Sequence, residues 1–431
     1  MKSIWGNIEK PTFSTLEGDV KTDVLIIGGG LCGILCAYML KEAGVDSILA
    51  EARTICNGVT NDTTAKITLQ HGLIYDKIIK KYGLHKAQLY YESQKNAMDK
   101  LKSLALETDS DIEICSNIVY SLNDREKIEK EARALEKIGC NALFCEKTEL
   151  PFNIAGAVKI DNQAKFHPLK FAYTVADGLK IYENTKILEL KTNTAIINNG
   201  TISAKKVIVA THFPFINKHG GYFLKMYQYR SYVLALKNAQ NIKNMYVDEA
   251  KDGLSFRTYN DLLLLGGGSH RTGKKGGGWA ELETVAEKYY SSAQEIDRWA
   301  TQDCITLDSI PYIGQYSSST PDLYVATGFN KWGMTSSMAS AMIITDMVCE
   351  RESKYEQVYS PSRRTIHPQL AVNVLESVKG LVTPTVPRCP HMGCALKYNK
   401  QEHSWDCPCH GSRFEKNGEL IDNPATDDKK N

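Results

Sequence analysis

Two short segments near the C-terminus combine cysteine and histidine at spacings that suit a metal centre. Cys389 and His391 are separated by one residue, and Cys407 and His410, further along the chain, are separated by two. Two thiolates and two imidazoles paired in this way match a [2Fe–2S] cluster in which the cysteines bind one iron and the histidines bind the other. Histidine in place of cysteine raises the reduction potential of such a cluster, so we expect the chain to transfer single electrons.

Zinc is the alternative metal for two cysteines and two histidines. A zinc ribbon typically presents two C-x₂-C pairs, whereas the pairs here are C-x-H and C-x-x-H. The spacing therefore favours the iron–sulfur cluster over zinc, and the rest of the chain has to supply or accept its electrons.

A glycine-rich turn near the N-terminus predicts a dinucleotide-binding unit. Residues 21–30 read KTDVLIIGGG, an apolar run typical of a buried strand that enters a tight turn, and a helix is expected to follow from Leu31. Gly28, Gly30 and Gly33 stand in G-x-G-x-x-G order. The first permits the turn, the second lets the backbone approach a pyrophosphate and the third lets the helix pack closely on the strand.

Glu51 ends the next predicted strand, 23 residues after Gly28, and is positioned to bind a ribose hydroxyl. An acid at this place argues against a 2′-phosphate, and hence against NADP, but it does not separate NAD from FAD. Two further buried strands are predicted, at residues 206–211 (KVIVAT) and 323–328 (LYVATG), and a helix follows the second of them.

Residues 20–350 resemble the D-amino acid oxidase/glycine oxidase family of FAD-dependent oxidoreductases, and residues 310–314 (IPYIG) also match its pattern. The resemblance implies FAD. It also implies that the last strand–helix unit closes over the isoalloxazine, with the positive end of the helix dipole stabilising the anion of reduced flavin. The flavin-binding residues implied at the strand ends and in this unit are Ala210, Gly328, Asn330, Trp332, Gly333, Met334 and Thr335.

Residues 61–66 (NDTTAK), followed by Gln70-His71-Gly72, are similar to a subgroup of this family whose members end in a Rieske module. The similarity implies that Thr63 and Thr64 line the flavin. A polar loop that caps a helix starting near Leu73 is an equally good interpretation, because threonine and aspartate are ordinary capping residues.

An antiparallel sheet is predicted between residues 222 and 266, and in the family such a sheet forms the substrate domain above the flavin. Candidate substrate contacts are Tyr229, Arg230, Arg257, His270 and Arg271. An arginine facing the flavin would bind a carboxylate through two hydrogen bonds. The alternative is that each of these residues is a solvated strand or loop residue, and residues 270–273 follow a glycine-rich turn that is compatible with a plain loop.

The resemblance to Rieske proteins extends through residues 389–422 and implies Cys389, His391, Cys407 and His410 as ligands. It also implies a disulfide between Cys394 and Cys409, which is unusual in a reducing compartment. Ser412 matches a serine that donates a hydrogen bond to the cluster. Phe414 replaces a tyrosine, and since hydrogen bonds to the sulfurs raise the potential, we expect a value in the lower part of the roughly −150 to +300 mV range.

The predicted architecture is α/β (α+β), with a Rossmann-like FAD-binding domain, an antiparallel-sheet substrate domain and a small, truncated all-β cluster-binding lobe. The FAD-dependent domain is expected over residues 1–364, with FAD-binding parts at about 20–72, 150–215 and 300–350 and substrate parts at about 73–149 and 220–299. A linker with an amphipathic helix follows at 365–387, and the lobe occupies 388–431. A lobe this small cannot bury a sufficient core alone, so we expect it to dock on the flavin domain.

The composition is that of a globular protein of 431 residues, with 42% hydrophobic residues, 24% charged residues and a formal net charge of +2. A near-neutral chain makes nucleic acid an unlikely partner, and the sequence contains no apolar stretch long enough to span a membrane. We expect a cytoplasmic dehydrogenase that oxidises a small substrate bearing an amine or hydroxyl and passes electrons to an acceptor protein or quinone. The alternative is an electron carrier or redox sensor without small-molecule turnover.

Overall fold

The structure is a computed structural model that describes residues 3–216, 219–364, 367–384 and 387–429. Its strands are β1 (Val20–Ile27), β2 (Ser47–Ala50), β3 (Lys66–Ile67), β4 (Glu113–Ser121), β5 (Ala142–Cys145), β6 (Gly156–Lys165), β7 (Ile181–Tyr182), β8 (Glu189–Lys191), β9 (Thr194–Ile197), β10 (Gly200–Val209), β11 (Met226–Lys237), β12 (Met245–Asp248), β13 (Ser255–Tyr259), β14 (Leu262–Arg271), β15 (Gln294–Thr306), β16 (Tyr312–Gln315), β17 (Leu323–Thr327), β18 (Lys397–Asn399), β19 (Ser404–Asp406), β20 (Arg413–Phe414) and β21 (Leu420–Asp422). Its α-helices are α1 (Leu31–Glu42), α2 (Val59–Asp62), α3 (Tyr75–Tyr82), α4 (Leu84–Leu106), α5 (Arg125–Lys137), α6 (Pro168–Ala176), α7 (Tyr222–Lys225), α8 (Gly278–Tyr289), α9 (Gly333–Val348), α10 (Glu356–Tyr359) and α11 (Pro368–Val382).

The first sheet has the strand order β16-β17-β10-β1-β2-β7, and the β8–β9 hairpin extends from β10. Strand β1 runs parallel to β10 and β2, and β10 runs parallel to β17. Because the carboxyl ends of parallel strands meet at one edge, Gly28, Ala210 and Gly328, which follow β1, β10 and β17, are brought to the same edge. Helices α1 and α9 pack against each other in the main core.

The second sheet has the order β15-β11-β14-β13-β12-β4-β6-β3, with β5 paired to β6. Its pairs are antiparallel apart from β12 with β4, which are parallel. Strand β14 runs through Arg271, so His270 and Arg271 lie on a strand and not in the plain loop that the glycine run suggested. The glycine run fits into β14 because its pairing with β11 shifts register between Arg230 and Tyr232. At this shift Gly268 adopts a φ of +59°.

Two predicted helices are present, and the structure gives their boundaries. The helix expected to start near Leu73 begins at Tyr75 as α3, and Gly83, whose φ of +86° ends it, separates it from α4. The amphipathic helix expected within the 365–387 linker is α11, which ends at Val382. None of the helices in the described ranges is both long enough and apolar enough to cross a membrane.

Strands β18 to β21 form a separate four-stranded antiparallel sheet near the C-terminus. The buried cluster inside this lobe consists of Cys389, Cys394, Leu396, Cys407, Cys409, Phe414 and Ala425. Four of these seven residues are cysteines, so the lobe has little apolar core of its own, as its length predicted.

Candidate functional site

The glycine-rich turn has the geometry that the fingerprint predicted. Gly28 has a φ of +112°, and a Cβ at this position would lie 2.7 Å from the Ala210 carbonyl oxygen. A Cβ at Gly33 would lie 1.9 Å from the Gly28 carbonyl oxygen, so α1 packs on the turn at a distance that excludes any side chain. The Glu51 carboxylate accepts hydrogen bonds from the backbone N–H groups of Gly29 (2.7 Å) and Arg53 (2.9 Å).

A cavity of about 1280 Å³ opens beside this turn, and it exceeds the roughly 300–1,000 Å³ of most small-molecule sites. The predicted cofactor-binding residues that line it are Gly28, Gly30, Glu51, Thr63, Thr64, Ala210, Asn330, Trp332, Gly333 and Met334. The remaining three, Gly33, Gly328 and Thr335, are not part of the cavity wall. The bare backbone of the turn at one end and the N-terminus of α9 at the other fit a dinucleotide cofactor with room for a substrate.

The turn before α9 is held in an uncommon conformation. Asn330 and Lys331 are consecutive non-glycine residues with φ values of +53° and +74°. The Asn330 side chain accepts a hydrogen bond from the Thr306 N–H (2.8 Å) and donates one to the Gly328 carbonyl (2.6 Å). Left-handed backbone of this kind persists where surrounding bonds fix it, so the end of the α9 dipole is presented to the cavity in a defined position.

The segment between β2 and α3 lines the cavity and does not cap α3. The N–H groups of Tyr75 and Asp76 are instead capped by the Glu131 carboxylate, at 2.9 Å each. Thr63 and Thr64 lie on the cavity wall, which favours the flavin-lining interpretation, and their contact with the flavin stays a prediction.

His71 also lines the cavity and stacks on Trp332, with ring centroids 5.3 Å apart and an interplanar angle of 15°. Its Nε2 lies 3.0 Å from the Thr335 hydroxyl, and its Nδ1 lies 2.7 Å from the Tyr90 hydroxyl. Burial lowers the pKa of His71 to about 3, so the ring is neutral near pH 7. Thr335 does not line the cavity itself, but its hydroxyl contacts the His71 ring, which does.

The predicted substrate contacts Arg230, Arg257 and His270 lie outside the cavity wall, which corrects that expectation. Arg230 is 3% exposed and forms an ion pair with Glu402 of the cluster lobe. His270 stacks on Tyr232, with ring centroids 5.5 Å apart. Both Arg230 and His270 are thus buried against protein groups.

Arg257 lies outside the cavity and holds part of the cavity wall in place through hydrogen bonds. Its NH1 group donates hydrogen bonds to the carbonyls of Thr64 and Ala65, both at 2.7 Å, and of Phe166 at 3.3 Å. Burial lowers the pKa of the guanidinium to about 10. Arg271 likewise faces the protein, where it donates to the Cys409 carbonyl (3.2 Å). Tyr229 is the one member of the predicted substrate set that lines the cavity.

Two lysines that the sequence interpretation missed bring positive charge to the cavity. The ammonium groups of Lys251 and Lys331 lie 4.7 and 5.1 Å from the centre of the Tyr229 ring, and Lys331 Nζ is 3.1 Å from the Ser269 hydroxyl. Burial raises the pKa of the nearby Asp303 to about 6, although Lys331 opposes this shift. Lys331 lies inside the predicted 329–335 segment and could have been selected, whereas Lys251 is on a loop without a recognisable pattern.

The four predicted cluster ligands converge. The rings of His391 and His410 have centroids 5.0 Å apart, and the Cys389 thiol lies within hydrogen-bonding reach of Cys407 and Ser412. His410 Nδ1 is buried and makes no hydrogen bond within the described protein, while its Nε2 lies 3.4 Å from the Ser377 hydroxyl. A buried imidazole nitrogen without a partner in the described protein, together with the buried thiols of Cys389 and Cys407, suits an iron–sulfur cluster, which these residues would hold.

The predicted disulfide is not formed in the structure, where Cys394 and Cys409 are free thiols. Their sulfur atoms and that of Cys407 lie within 4.8 Å of one another. A bridge needs an S–S bond of about 2.0 Å, so the disulfide stays a prediction that the proximity allows.

The cluster lobe is docked on the flavin domain, as its small core predicted. Three consecutive carbonyls of the second ligand loop accept hydrogen bonds from side chains of the second sheet. Cys409 accepts from Arg271 (3.2 Å), His410 from Gln228 (3.0 Å) and Gly411 from Gln302 (2.9 Å). The loop that carries two cluster ligands is therefore fixed by flavin-domain residues.

The C-terminal segment of the lobe also closes the cavity. Eleven residues between Asn417 and Lys429 lie on the cavity wall. Asn423 donates hydrogen bonds to the carbonyls of Thr211 (2.6 Å) and Phe213 (2.8 Å), which follow β10. The C-terminal segment of the cluster lobe is therefore also part of the wall of the flavin cavity, and we call this segment the shared wall.

The fold and the two sites define a flavoprotein oxidoreductase that also carries an iron–sulfur centre. The family model of FAD dependent oxidoreductases (DAO) matches residues 23–347, and that of the Rieske [2Fe-2S] domain matches residues 350–431. The chain therefore belongs to the DAO family of FAD-dependent oxidoreductases and carries a C-terminal Rieske domain, and its cofactors are FAD and a [2Fe–2S] cluster.

Several known proteins are similar to this chain. YhfW of Bacillus subtilis, described as a Rieske 2Fe-2S iron-sulfur protein, is 34% identical over 96% of this chain and 94% of its own length. Gamma-glutamylputrescine oxidoreductase of Escherichia coli is 23% identical over 78% of this chain and 85% of its own length. Glycine oxidase from Geobacillus kaustophilus superposes with a TM-score of 0.69 at 18% identity, covering 80% of this chain and 100% of that structure, and shows the same fold.

Proposed function

We propose that the protein is a dehydrogenase that oxidises a small substrate bearing an amine or a hydroxyl. Two electrons enter at FAD, and the Rieske cluster passes them singly to an acceptor protein or quinone. The observation that carries this proposal is the shared wall, in which the C-terminal segment of the cluster lobe lines the FAD cavity and Asn423 bonds to the end of β10. A cluster held this close to the flavin site suits one-electron removal better than direct reaction of flavin with oxygen.

FAD supplies hydride acceptance when it is bound, and the residues of this chain supply binding and orientation. Lys331 and Lys251 offer positive charge to a substrate carboxylate, and Tyr229 offers a flat apolar surface beneath them. His71 is held neutral and stacked on Trp332, so it adds polarity at the cavity wall without a charge.

Amines come first among the substrates to be tested, because similar proteins are named for them. These names refer to gamma-glutamylputrescine, to glycine and, for a structure from P. horikoshii with a TM-score of 0.68 at 18% identity, to L-proline. Under argon, the oxidised protein would be mixed with a panel of amines, amino acids and hydroxy acids, with the flavin followed by absorbance and the cluster by EPR. We expect a substrate to bleach the flavin and produce the EPR signal of the reduced cluster. If no compound bleaches the flavin while a reduced carrier protein does, electrons flow in the opposite direction and the alternative of a carrier or sensor is favoured.

A further inference from the structure

Helix α11 lies against the cluster with its polar and small residues. Ser377 faces His410, Asn373 donates a hydrogen bond to the Leu224 carbonyl (3.0 Å), and a Cβ at Gly380 would lie 2.4 Å from the Cys409 sulfur. Most helices of globular proteins bury an apolar stripe and expose a polar one. In α11 this arrangement is reversed, because the face toward the protein is the polar one.

The opposite face of α11 exposes large aliphatic side chains. They are Val372 (43% exposed), Val374 (41%), Leu375 (67%), Val378 (52%), Leu381 (47%) and Val382 (71%). Fifteen large hydrophobic residues are exposed in the described ranges, and six of them are on this one helix. Together with Met392, which is 40% exposed and adjoins the ligand His391, they are named the aliphatic face. Leu381 reaches the ligand loop at Gly393, so the face is continuous with the loop that holds the cluster.

The size of the aliphatic face argues against a permanent partner. A helix of 15 residues is about 22 Å long and about 10 Å wide, so the face covers on the order of 200–300 Å². A stable interface buries about 800 Å² on each partner, whereas electron-transfer encounters are smaller. A second copy of the chain would need much more surface than this helix offers, and a transient partner would not.

The charges around the aliphatic face are mainly positive. Lys379 is exposed on α11, and Arg388 donates hydrogen bonds to the carbonyls of Leu381 (3.1 Å) and Gly393 (2.8 Å) at the edge of the face. Glu376 is neutralised by its ion pair with Lys274. An apolar centre with a cationic rim is complementary to a protein with an acidic rim, and such charges mainly raise the association rate.

We infer that the aliphatic face is the docking surface for a soluble one-electron carrier protein with an acidic face around its own redox centre. This inference rests on the proposed function and specifies its acceptor. In each encounter one electron passes from the reduced cluster, by way of the His391 side, to the oxidised redox centre of the carrier. Two encounters therefore discharge the two electrons of one substrate oxidation, and no bond is made or broken.

The test uses the holoprotein reduced by light under argon with EDTA as the sacrificial electron donor, so it needs no substrate. Stopped-flow absorbance would follow the reduction of three oxidised probes: an acidic b-type cytochrome domain, a basic c-type cytochrome and ferricyanide. We expect the double variant Leu375→Ser/Val378→Ser to lower the second-order rate constant for the acidic cytochrome at least tenfold. Lys379→Glu should lower it similarly at low salt, and the wild-type rate should fall as ionic strength rises. Ferricyanide, which needs no apolar docking surface, should react within twofold of the wild-type rate in the double variant. Because ferricyanide is itself an anion, its rate with Lys379→Glu is compared at high salt, where it should also stay within twofold.

The matched control is Leu106→Ser, because Leu106 is as exposed as Leu375 (65% against 67%) but lies at the end of α4, away from the cluster.

The inference is overturned if the double variant reduces the acidic cytochrome as fast as wild type does, or if the basic cytochrome is the faster probe at low salt. It is also overturned if the wild type sediments with anionic phospholipid vesicles at physiological salt and the double variant does not, since the face would then bind lipid. A cluster that stays oxidised after the flavin has been photoreduced contradicts the proposed function as well, whereas failures confined to the variants contradict only the docking surface.

Discussion

Arg230 of the flavin domain and Glu402 of the cluster lobe form an ion pair from which water is excluded, with side chains 3% and 8% exposed. Arg230 Nε lies 3.1 Å from Oε1 of Glu402, and a second, shorter contact joins NH2 to Oε2. Arg413 of the lobe donates to the same carboxylate at 2.7 Å, and the Tyr232 hydroxyl donates to it at 2.9 Å. A buried charge that lost these partners would be costly, so the pair holds the lobe in one docked position.

Acidification should loosen the docked lobe through Glu402. Burial alone would raise the pKa of this carboxyl, but Arg230 and Arg413 lower it to about 2 in the folded protein. The stabilisation is therefore complete above the unfolded pKa, near 4.5, and is lost as pH falls toward 2. The free energy of unfolding should fall by about 2 kcal/mol from this group between pH 6 and pH 3, which urea titrations of the oxidised protein would measure.

Arg230→Met should reduce this dependence on pH, because Glu402 would then keep only Arg413 as a guanidinium partner. Asp99→Asn is the control, since Asp99 forms an exposed pair with Lys95 and should change the free energy of unfolding by less than about 1 kcal/mol. If Arg230→Met kept the full wild-type pH dependence, Arg230 would not be a cause of the low pKa of Glu402.

Gly33→Ala should abolish flavin retention. The added Cβ would lie 1.9 Å from the Gly28 carbonyl oxygen, and backbone at this contact cannot move without opening the turn that approaches the cofactor. We expect the Kd for FAD, measured by fluorescence titration of the deflavinated protein, to rise at least about 100-fold, which corresponds to about 3 kcal/mol. Gly6→Ala is the control, because a Cβ at Gly6 meets nothing within 4 Å. Normal flavin content in Gly33→Ala would show that the turn does not bind the cofactor.

The hydrogen bond of Ser412 should set part of the cluster potential. Ser412 lies within hydrogen-bonding reach of the Cys389 thiol, and its oxygen also accepts from the Ala425 N–H at 3.0 Å. Removing a donor to a ligand sulfur disfavours the reduced, more negative cluster. Ser412→Ala should therefore lower the midpoint potential by about 40 mV, if the bond contributes about 1 kcal/mol.

Phe414→Tyr is the complementary variant, because it restores the hydroxyl that the Rieske resemblance implies at this position and should raise the potential. Both values would be measured by EPR-monitored redox titration of the holoprotein. Potentials that stayed unchanged in both variants would show that hydrogen bonds at these positions do not tune the cluster.

The candidate cofactor residues could be selected from the sequence because their chemistry depends on local spacing. Gly28, Gly30 and Gly33 are constrained by one turn, and the cluster ligands lie on two short loops, so both patterns are complete within a few residues of sequence. The flavin-lining position of Thr63 followed from resemblance, and the structure favoured it over capping because Glu131, more than fifty residues away, caps α3.

The polar residues of the cavity wall could not be predicted because their positions depend on contacts between distant segments. Arg230 was selected for its type, but its partner, Glu402, is on a different lobe, and no local pattern joins the two. Lys251 approaches Tyr229 through the pairing of strands in the second sheet, and its loop shows no periodicity that reveals this. The amphipathic pattern of α11 was visible, but it does not indicate which face turns toward the protein, because that depends on the close approach of Cys409 to Gly380.

Lys331 should determine how well the protein uses substrates that carry a carboxylate. Its ammonium group lies on the cavity wall between the Tyr229 ring and the Ser269 hydroxyl, and burial lowers its pKa although Asp303 opposes the shift. A charged hydrogen bond in such a site contributes about 1.5–3 kcal/mol, so Lys331→Met should lower kcat/KM for amino acids about 10- to 100-fold.

The same variant should change kcat/KM for amines without a carboxylate by less than about threefold, since these lack the group that Lys331 would bind. Lys354→Met is the control, because Lys354 is exposed and pairs with Glu92 outside the cavity. The measurement is steady-state turnover under argon with ferricyanide as the acceptor, on the substrates that bleach the flavin. Equal losses for both kinds of substrate would mean that Lys331 supports the flavin and does not select the substrate.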